Sequence, residues 1–169
     1  MPITIKKIES SDIPLLKKAF YPTVWKTGAR YFWKILHEQE REERVVLVAM
    51  LDGAIAGFLS VTWESKYPPF AEKSIPEIND LRVLEQFRRK GVATALMDEA
   101  EKIIFERSPL AGLGVGLYAD YGAAQQMYAK RGYIFDGRGI MHENKPVIPG
   151  TPVFVDDELA LYMVKARNH

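Results

Sequence analysis

Apolar side chains recur along this chain with two periods, and each period predicts a different kind of element. Alternation over residues 3–8 predicts a first strand, and the apolar runs 45–51 and 54–63 predict two more. The Asp52-Gly53 pair between those runs is typical of a two-residue hairpin turn. Later strands are predicted from the apolar runs at residues 78–84, 113–118, 133–141 and 159–164.

Segments with apolar residues at every third or fourth position predict helices between these strands. The first helix begins at Ser10-Ser11-Asp12, and the second spans residues 28–44. The third covers residues 92–104, and a fourth has Asp120 as its N-cap and Gly132 as its left-handed end. Because helices and strands intermix along the chain, we expect a mixed α/β fold.

The composition indicates one globular domain over residues 1–169, since 47% of the residues are apolar and 27% are charged. A net charge of +1 gives no reason to expect nucleic acid or an acidic membrane as a partner. No N-terminal h-region and no apolar run of membrane-spanning length is present, so we expect a cytoplasmic protein. The absence of cysteine excludes disulfides, thiolate metal sites and cysteine nucleophiles.

A basic glycine loop, Arg88-Arg89-Lys90-Gly91-Val92-Ala93, joins the strand predicted at 78–84 to the helix predicted at 92–104. Its backbone N–H groups and the positive end of the helix dipole would face one point, which suits a phosphate group. Gly91 has no Cβ to block a ligand, and the three cations favour an anion. The alternative is a charged helix start that binds nothing.

A second block with Ala124, Tyr128, Gly132 and Tyr133 follows after the next predicted strand. With both blocks, the chain resembles the GNAT superfamily of acyl-CoA N-acyltransferases. The family loop Q/R-x-x-G-x-G/A is present as Arg88, Gly91 and Ala93, and the family pattern A-x-x-x-Y-x-x-x-G-F/Y as Ala124, Tyr128, Gly132 and Tyr133. The order of predicted elements also follows the family over nearly the whole chain. One position departs from it, because Tyr121 stands where the family often has asparagine.

The resemblance implies the GNAT fold. That fold has a single central, mostly antiparallel, twisted sheet of about six or seven strands, flanked by about four helices. The sheet is split in a V between strands 4 and 5. The resemblance also implies acetyl-CoA as cosubstrate, with the pantetheine arm on backbone groups of one strand and the pyrophosphate on loop amides. The residues at the cosubstrate would be Leu81, Val83, Arg88, Arg89, Lys90, Gly91, Val92, Ala93, Thr94, Ala124 and Tyr128.

The implied reaction is acetyl transfer to a primary amine, and without cysteine the economical route is direct attack within a ternary complex. Tyr128 matches the family tyrosine near the coenzyme sulfur and is the candidate general acid. Glu77 is the candidate base, at a position from which some family members draw a catalytic glutamate. Asp80 is its rival and should lie on the opposite strand face, since side chains alternate. Either carboxylate would alternatively be a structural hydrogen-bond acceptor.

We expect a small-molecule amine as the substrate partner, with a protein lysine or N-terminus as the alternative. The sequence is also compatible with a non-catalytic acyl-CoA-sensing module on the same fold, and with a nucleotide-binding protein. A homodimer is compatible with the sequence as well. The three histidines lack metal-ligand spacing, so no metal site is expected.

Two surface segments complete the prediction. Residues 67–70 are expected to form a loop, because two consecutive prolines cannot lie in a central strand. Tyr67 and Phe70 are among the aromatic residues near regions that line the acceptor cleft in the superfamily. We expect such residues either to pack in the core or to wall the substrate pocket, with Tyr67 and Phe70 the first candidates for the pocket. The acidic run Asp156-Asp157-Glu158 is expected either to attract a cationic amine or to be solvated only.

Overall fold

The computed structural model describes residues 2–20 and 29–168, and nine strands and five α-helices occur in them. In chain order they are β1 (Ile3–Lys7), α1 (Ile13–Phe20), α2 (Ala29–Glu40), β2 (Arg44–Leu51), β3 (Ala54–Thr62), α3 (Pro68–Glu72), β4 (Glu77–Val83), α4 (Val92–Phe105), β5 (Leu110–Gly116), α5 (Gly122–Lys130), β6 (Ile134–Phe135), β7 (Met141–His142), β8 (Lys145–Pro146) and β9 (Leu159–Ala166). None of the helices in these residues is long and apolar enough to cross a membrane.

The chain divides into two compact units, each made of two segments. The first unit comprises Met1–Trp63 and Ile78–Ile103, and the second comprises Glu64–Glu77 and Ile104–His169. β4 therefore belongs to the first unit except for its first residue, Glu77.

Four strands of the first unit follow the order β1-β2-β3-β4. β1 runs antiparallel to β2, with Ile3 opposite Leu51, and β2 and β3 form the predicted hairpin. The turn residues Asp52 and Gly53 have φ values of 56° and 75°. Two successive positive φ values are the geometry of a two-residue hairpin turn, so this prediction is confirmed.

The core of the first unit lies between this hairpin and the helices α1 and α2. β2 and β3 are buried over almost their whole length, in agreement with their continuous apolar runs. Phe58 of β3 contacts Phe20 of α1 and Phe32 of α2 edge-on, with ring centroids 5.0 and 5.4 Å apart. These contacts hold α2, and with it Tyr31, against the strands.

The second unit is built on antiparallel strands in the order β5-β9-β7-β8, with β6 also paired to β9. An aromatic cluster packs within it. The rings of Tyr67 and Tyr162 stack with centroids 3.7 Å apart, and Phe70 meets both rings edge-on. Gly112 of β5 makes room for Phe70, since a Cβ at this glycine would overlap the phenyl ring.

The predicted loop at residues 67–70 is wrong, because α3 begins there with prolines at its first two positions. Proline fits the first turn of a helix, where its missing N–H would have no intrahelical partner in any case. The same two prolines therefore exclude a strand and permit a short helix.

Other boundaries also differ from the predictions. α2 ends at Glu40 rather than continuing to residue 44, and Glu42 turns the chain with a φ of 62°. The strand predicted over 133–141 is divided into β6 and β7, because Gly137 and Gly139 take positive φ values between them. A 3₁₀ turn over Ala119–Tyr121 comes before α5, so Asp120 lies within that turn and is not the N-cap of α5. Six strands have at least five residues, in agreement with the expected six or seven. The strands β6, β7 and β8 are additional and have two residues each.

Candidate active site

The basic loop lies in the first unit, directly before α4. A 3₁₀ turn over Glu85–Phe87 leads into it, and Arg89 and Gly91 take φ values of 60° and 84°. Arg88 before them is extended. A turn that contains left-handed residues can direct successive N–H groups toward one side, as in an anion-binding nest. α4 follows with 14 residues, so its N-terminal amides add the positive end of a helix dipole. The backbone therefore has a shape that suits a phosphate group.

The three cations of this loop are all exposed to solvent. Arg88 Nε donates a long hydrogen bond of 3.4 Å to Val83 O, and Lys90 Nζ lies 5.8 Å from the ring centroid of Phe87. Both contacts are weak and leave the charged groups in water. The positive charge predicted from the sequence is therefore available at the surface around the loop.

Gly91 is required by its backbone conformation and not by a close neighbour. A Cβ at this position would meet Ile3 Cδ1 at 3.8 Å, which is an ordinary contact, but a φ of 84° disfavours any L side chain. Val92 is buried in the core, Ala93 is half-buried and Thr94 is exposed. A ligand at the start of α4 would consequently meet the amide of Val92 and not its side chain.

β4 contains a left-handed residue, Asp80, with a φ of 58°. A positive φ inside a strand interrupts the regular pleat as a β-bulge does, so alternation alone does not fix the face of Asp80 relative to that of Glu77. Beyond this point Leu81 and Val83 are half-buried, whereas β2 and β3 are almost wholly buried. This part of β4 therefore lies nearer to solvent than the two strands before it in the sheet.

Asp80 is held by residues from other elements of the first unit. The hydroxyl of Tyr31 donates a hydrogen bond to Asp80 Oδ2, and Arg44 Nη1 lies 3.5 Å from the same oxygen. Burial, followed by the negative charge of Asp80, raises the pKa of Tyr31 far above its usual range, so its hydroxyl stays a donor. These contacts commit one Asp80 oxygen to two partners.

Glu77, the other candidate base, lies in the second unit and is half-buried. Its Oε1 accepts a hydrogen bond of 2.8 Å from Ser65 Oγ. Ser65 is buried and its Oγ also accepts a hydrogen bond from the Tyr67 amide, at 3.0 Å. The carboxylate of Glu77 is therefore oriented by a hydroxyl that is itself fixed to the backbone.

Tyr128, the candidate acid, lies near the end of α5 in the second unit. It is buried, and its ring packs against Tyr133 with centroids 6.0 Å apart. Burial raises the pKa of Tyr128 to about 12, so the phenol keeps its proton at neutral pH. Ala124 lies one turn earlier and is half-buried. Gly132 follows α5 with a φ of 95°, which confirms the predicted left-handed end.

Tyr67 and Phe70, the first candidates for the wall of a substrate pocket, are core residues, in agreement with the alternative expectation. Tyr67 and Phe70 are each 1% exposed and belong to the aromatic cluster of the second unit. The hydroxyl of Tyr67 is also bound, since it donates to Asp136 Oδ2 at 2.6 Å. The sequence pattern shows two aromatic residues beside prolines, and packing alone decides that they point inward.

The acidic run is exposed, and its members have partners within the second unit. Asp156 Oδ1 lies 3.0 Å from His142 Nε2. Asp157 Oδ1 accepts hydrogen bonds from the hydroxyls of Tyr118 and Tyr121, the latter at 2.8 Å. The Tyr121 ring also covers Gly116, where a Cβ would overlap it. Tyr121, which departs from the family pattern, therefore has a local packing role.

The sequence profile of the acetyltransferase (GNAT) family matches residues 12–133 of this chain. The matched span is more than half of the 169 residues, and it includes the basic loop, β4 and Tyr128. The chain belongs to the GNAT family. Its membership confirms the fold class predicted from the sequence and places the chain in a family of acetyltransferases, for which acetyl-CoA is the typical cosubstrate.

Individual relatives of this GNAT chain agree with the assignment. A protein named as an uncharacterized N-acetyltransferase from Archaeoglobus fulgidus is 31% identical over 99 residues, which are 57% of this chain and 64% of that protein. A ribosomal-protein-alanine N-acetyltransferase from Brucella melitensis is 18% identical with a TM-score of 0.70, over 97% of this chain and 99% of that chain. A PaiA N-acetyltransferase from Thermoplasma acidophilum was solved in complex with coenzyme A. It is 16% identical with a TM-score of 0.67, over 99% of this chain and 100% of that chain. The two structures show a shared fold.

Three residues that contact the candidate carboxylates are not predicted from the sequence, namely Tyr31, Arg44 and Ser65. Tyr31 acts from α2, Arg44 from β2 and Ser65 from the loop between β3 and α3, and none belongs to a motif. Tyr31 and Asp80 are separated by 49 positions in the chain, and no local pattern links them. Only the packing of α2 and β2 near β4 reveals the connection.

Proposed function

We propose that this GNAT protein transfers the acetyl group of acetyl-CoA to a primary amine by direct attack of the amine on the thioester. Acetyl-CoA supplies an activated acetyl group and, in its pyrophosphate, an anion that suits the basic loop. The observation that carries the proposal is the pair of left-handed residues, Arg89 and Gly91, that immediately precede α4.

The proposed contacts to acetyl-CoA follow from the loop and from the family pattern. Loop amides would bind the pyrophosphate and the backbone of β4 would bind the pantetheine arm. The family pattern assigns Ala124 and Tyr128 of α5 to the thioester end of the cosubstrate. The residues assigned to these roles are Leu81, Val83, Arg88, Arg89, Lys90, Gly91, Val92, Ala93, Thr94, Ala124 and Tyr128. Exposed cations and a half-buried β4 support the assignment.

We assign the role of base to Glu77. A primary amine of the lysine type has a pKa of about 10.4, so it must lose a proton before it can attack. Glu77 would accept that proton, directly or through a water, before the neutral amine attacks. As the C–N bond forms and the C–S bond breaks, the nitrogen loses a second proton, which balances the proton that the departing thiolate gains. Ser65 orients the carboxylate of Glu77, whereas Asp80 is committed to Tyr31 and Arg44.

Tyr128 would stabilise the departing thiolate. With a pKa of about 12 it holds its proton at neutral pH, which a donor needs. Full transfer to a thiolate of pKa about 8.5 would be uphill by about 5 kcal/mol at these values. The hydroxyl of Tyr128 would therefore act mainly as a hydrogen-bond donor to the sulfur, and it would release its proton late.

A small-molecule amine is the acceptor we propose, with a protein lysine or N-terminus as the alternative. The exposed acidic run Asp156-Asp157-Glu158 supports a cationic acceptor, because its negative field would attract an ammonium group. We place the reaction in the cytoplasm, on the composition and the absence of cysteine.

Calorimetry with three proteins tests the proposal: the wild type, Gly91→Ala and Gly137→Ala. Gly137 is a matched control, because its φ of 81° imposes the same strain on alanine at an open position outside the loop. We expect the wild type to bind acetyl-CoA and Gly91→Ala to bind roughly 5- to 30-fold more weakly. Gly137→Ala should bind like the wild type. A wild type that does not bind acetyl-CoA contradicts the proposed function.

Turnover separates catalysis from binding alone. CoA release should depend on an added amine, tested with polyamines, aminoglycosides, amino-acid amides and peptides with free N-termini. Binding without amine-dependent CoA release would indicate an acyl-CoA-sensing module. Displacement of acetyl-CoA by ATP at similar concentrations would indicate a general nucleotide phosphate site.

A further inference from the structure

Asp80 adopts a conformation that L side chains rarely take, in the middle of a strand. Residues of three elements contact either its carboxylate or Arg44, the arginine next to that carboxylate. Tyr31 of α2 donates to Asp80 Oδ2, and Arg44 of β2 brings Nη1 to 3.5 Å from that oxygen. Arg44 Nη1 also donates to Ser60 Oγ of β3 at 3.1 Å, and Arg44 Nε lies 2.6 Å from Glu38 Oε2 of α2.

The ionic groups of this cluster are shielded from water. The side chains of Arg44, Glu38 and Asp80 are 13%, 15% and 27% exposed. Attraction between charges is stronger in such partly desolvated surroundings than at an open surface. Asn79, the residue before Asp80, is also hydrogen-bonded, since its Nδ2 donates to Thr62 Oγ1 at 3.0 Å.

We propose that Tyr31 and Arg44 are positioning residues that hold Asp80 in its left-handed conformation. The bend at Asp80 sets the course of β4 immediately before Leu81 and Val83, whose backbone groups we assign to acetyl-CoA. We call Tyr31, Arg44 and Asp80 the clamp. It fixes the backbone of β4 in the conformation to which acetyl-CoA binds. This inference rests on the proposed function, and it gives Asp80 a conformational role instead of that of a base.

Substitutions at Asp80 separate these two roles. Glycine and alanine both remove the carboxylate, but only glycine adopts a positive φ without strain. Asparagine tolerates the left-handed region and can still accept a hydrogen bond from Tyr31. A conformational role therefore ranks the variants by backbone preference, whereas a base role makes all three inactive alike.

The dissociation constant of acetyl-CoA is the quantity to measure, by calorimetry, for wild type, Asp80→Asn, Asp80→Gly and Asp80→Ala. We expect Asp80→Ala to bind roughly 5- to 30-fold more weakly than wild type, and Asp80→Gly about fivefold more tightly than Asp80→Ala. Asp80→Asn should remain close to wild type. Equal affinity in all four proteins overturns the inference, as does an equal loss of turnover at unchanged affinity. A wild type that binds no acetyl-CoA refutes the proposed function itself.

Tyr31→Phe tests the inference independently of the Asp80 variants, because it removes only the hydroxyl that donates to Asp80 and changes the side-chain volume little. It should weaken acetyl-CoA binding severalfold in the wild-type background and have no effect in the Asp80→Gly background, where no clamp is needed. Tyr118→Phe is the matched control, since it also removes a hydroxyl that donates to an aspartate, Asp157. Thermal melting of every variant confirms that binding is measured on folded protein. An effect of Tyr31→Phe that persists unchanged in Asp80→Gly overturns the inference.

Discussion

Ser65 Oγ donates a hydrogen bond of 2.8 Å to Glu77 Oε1. The serine is 5% exposed, and its own orientation is set by the Tyr67 amide, which donates to Oγ at 3.0 Å. Water cannot easily replace a donor in so buried a place. This pair therefore fixes the direction of the carboxylate that we propose as the base.

Glu77→Gln should lower kcat by about 100- to 10,000-fold, the range that a general base contributes. Acetyl-CoA binding should stay the same, because glutamine has the same shape as glutamate and Glu77 is not among the residues assigned to acetyl-CoA. Glu72→Gln, an exposed residue of α3, serves as the control. Amine-dependent CoA release measures kcat. Full activity in Glu77→Gln would remove Glu77 from the mechanism.

Ser65→Ala should lower kcat about tenfold without changing the affinity for acetyl-CoA, since the base loses its orienting donor. It should also cost about 1–3 kcal/mol of unfolding free energy, because the buried Tyr67 amide loses its acceptor. In a Glu77→Gln background the kinetic effect should vanish while the loss of stability remains. An undiminished kinetic effect there would show that Ser65 acts through another group.

Tyr128→Phe should lower kcat about 10- to 100-fold at unchanged KM for acetyl-CoA. Because the folded pKa of about 12 exceeds the usual value of 10.0, the phenol favours folding below pH 10, and this stability is lost between about pH 10 and 12. A difference titration of tyrosinate absorbance between wild type and Tyr128→Phe should therefore show a midpoint near pH 12. Tyr133→Phe, a buried neighbour, is the control. A difference midpoint near pH 10 would contradict the buried environment.

Gly57→Ala should destabilise the protein strongly, because its Cβ would lie 2.5 Å from Arg82 O where β4 approaches β3. We expect a loss of about 2–5 kcal/mol in unfolding free energy, measured by urea titration. Gly122→Ala is the matched control, since a Cβ there meets nothing within 4 Å at the start of α5. That control should be neutral or stabilising by up to about 1 kcal/mol. Equal stability of both variants would mean that β4 can move away from β3.

Arg89→Gly removes a guanidinium but keeps, and even favours, the left-handed conformation at this position. We expect acetyl-CoA to bind severalfold more weakly at low salt, and the difference from wild type to shrink as ionic strength rises. Arg89→Ala also removes the guanidinium but keeps the strain of an L side chain at a positive φ, which glycine relieves, so it should bind more weakly than Arg89→Gly at every salt concentration. Calorimetry across a salt series measures both effects. Identical salt dependence in wild type and Arg89→Gly would exclude a charge contribution from Arg89.

The elements that can be predicted from sequence are those whose cause is local. Asp52-Gly53 specifies a hairpin turn, because two successive positive φ values need residues that tolerate them. Gly132 ends α5 for the same reason, and the basic loop before α4 is recognisable as glycine and cations between a strand and a helix. The two motif blocks are sufficient to indicate the family. In all these cases a few adjacent residues decide the conformation.

The candidate base and its surroundings depend on residues that are far apart in the chain. The sequence offers Glu77 and Asp80 as rivals on one strand, and alternation predicts opposite faces for them. Asp80 interrupts the regular pleat with its left-handed φ, and Tyr31, Arg44 and Ser65 give the two carboxylates different surroundings. None of these partners is predictable from a local pattern.

The sequence by itself determined the family, the order of elements and the position of the basic loop, because backbone preferences and motif spacing act over short stretches. The tertiary structure decided that Tyr67 and Phe70 are buried, that Tyr128 has a raised pKa and that Asp80 is clamped. Burial and side-chain partners depend on how separate elements pack, and desolvation shifts a pKa only once that packing has excluded water.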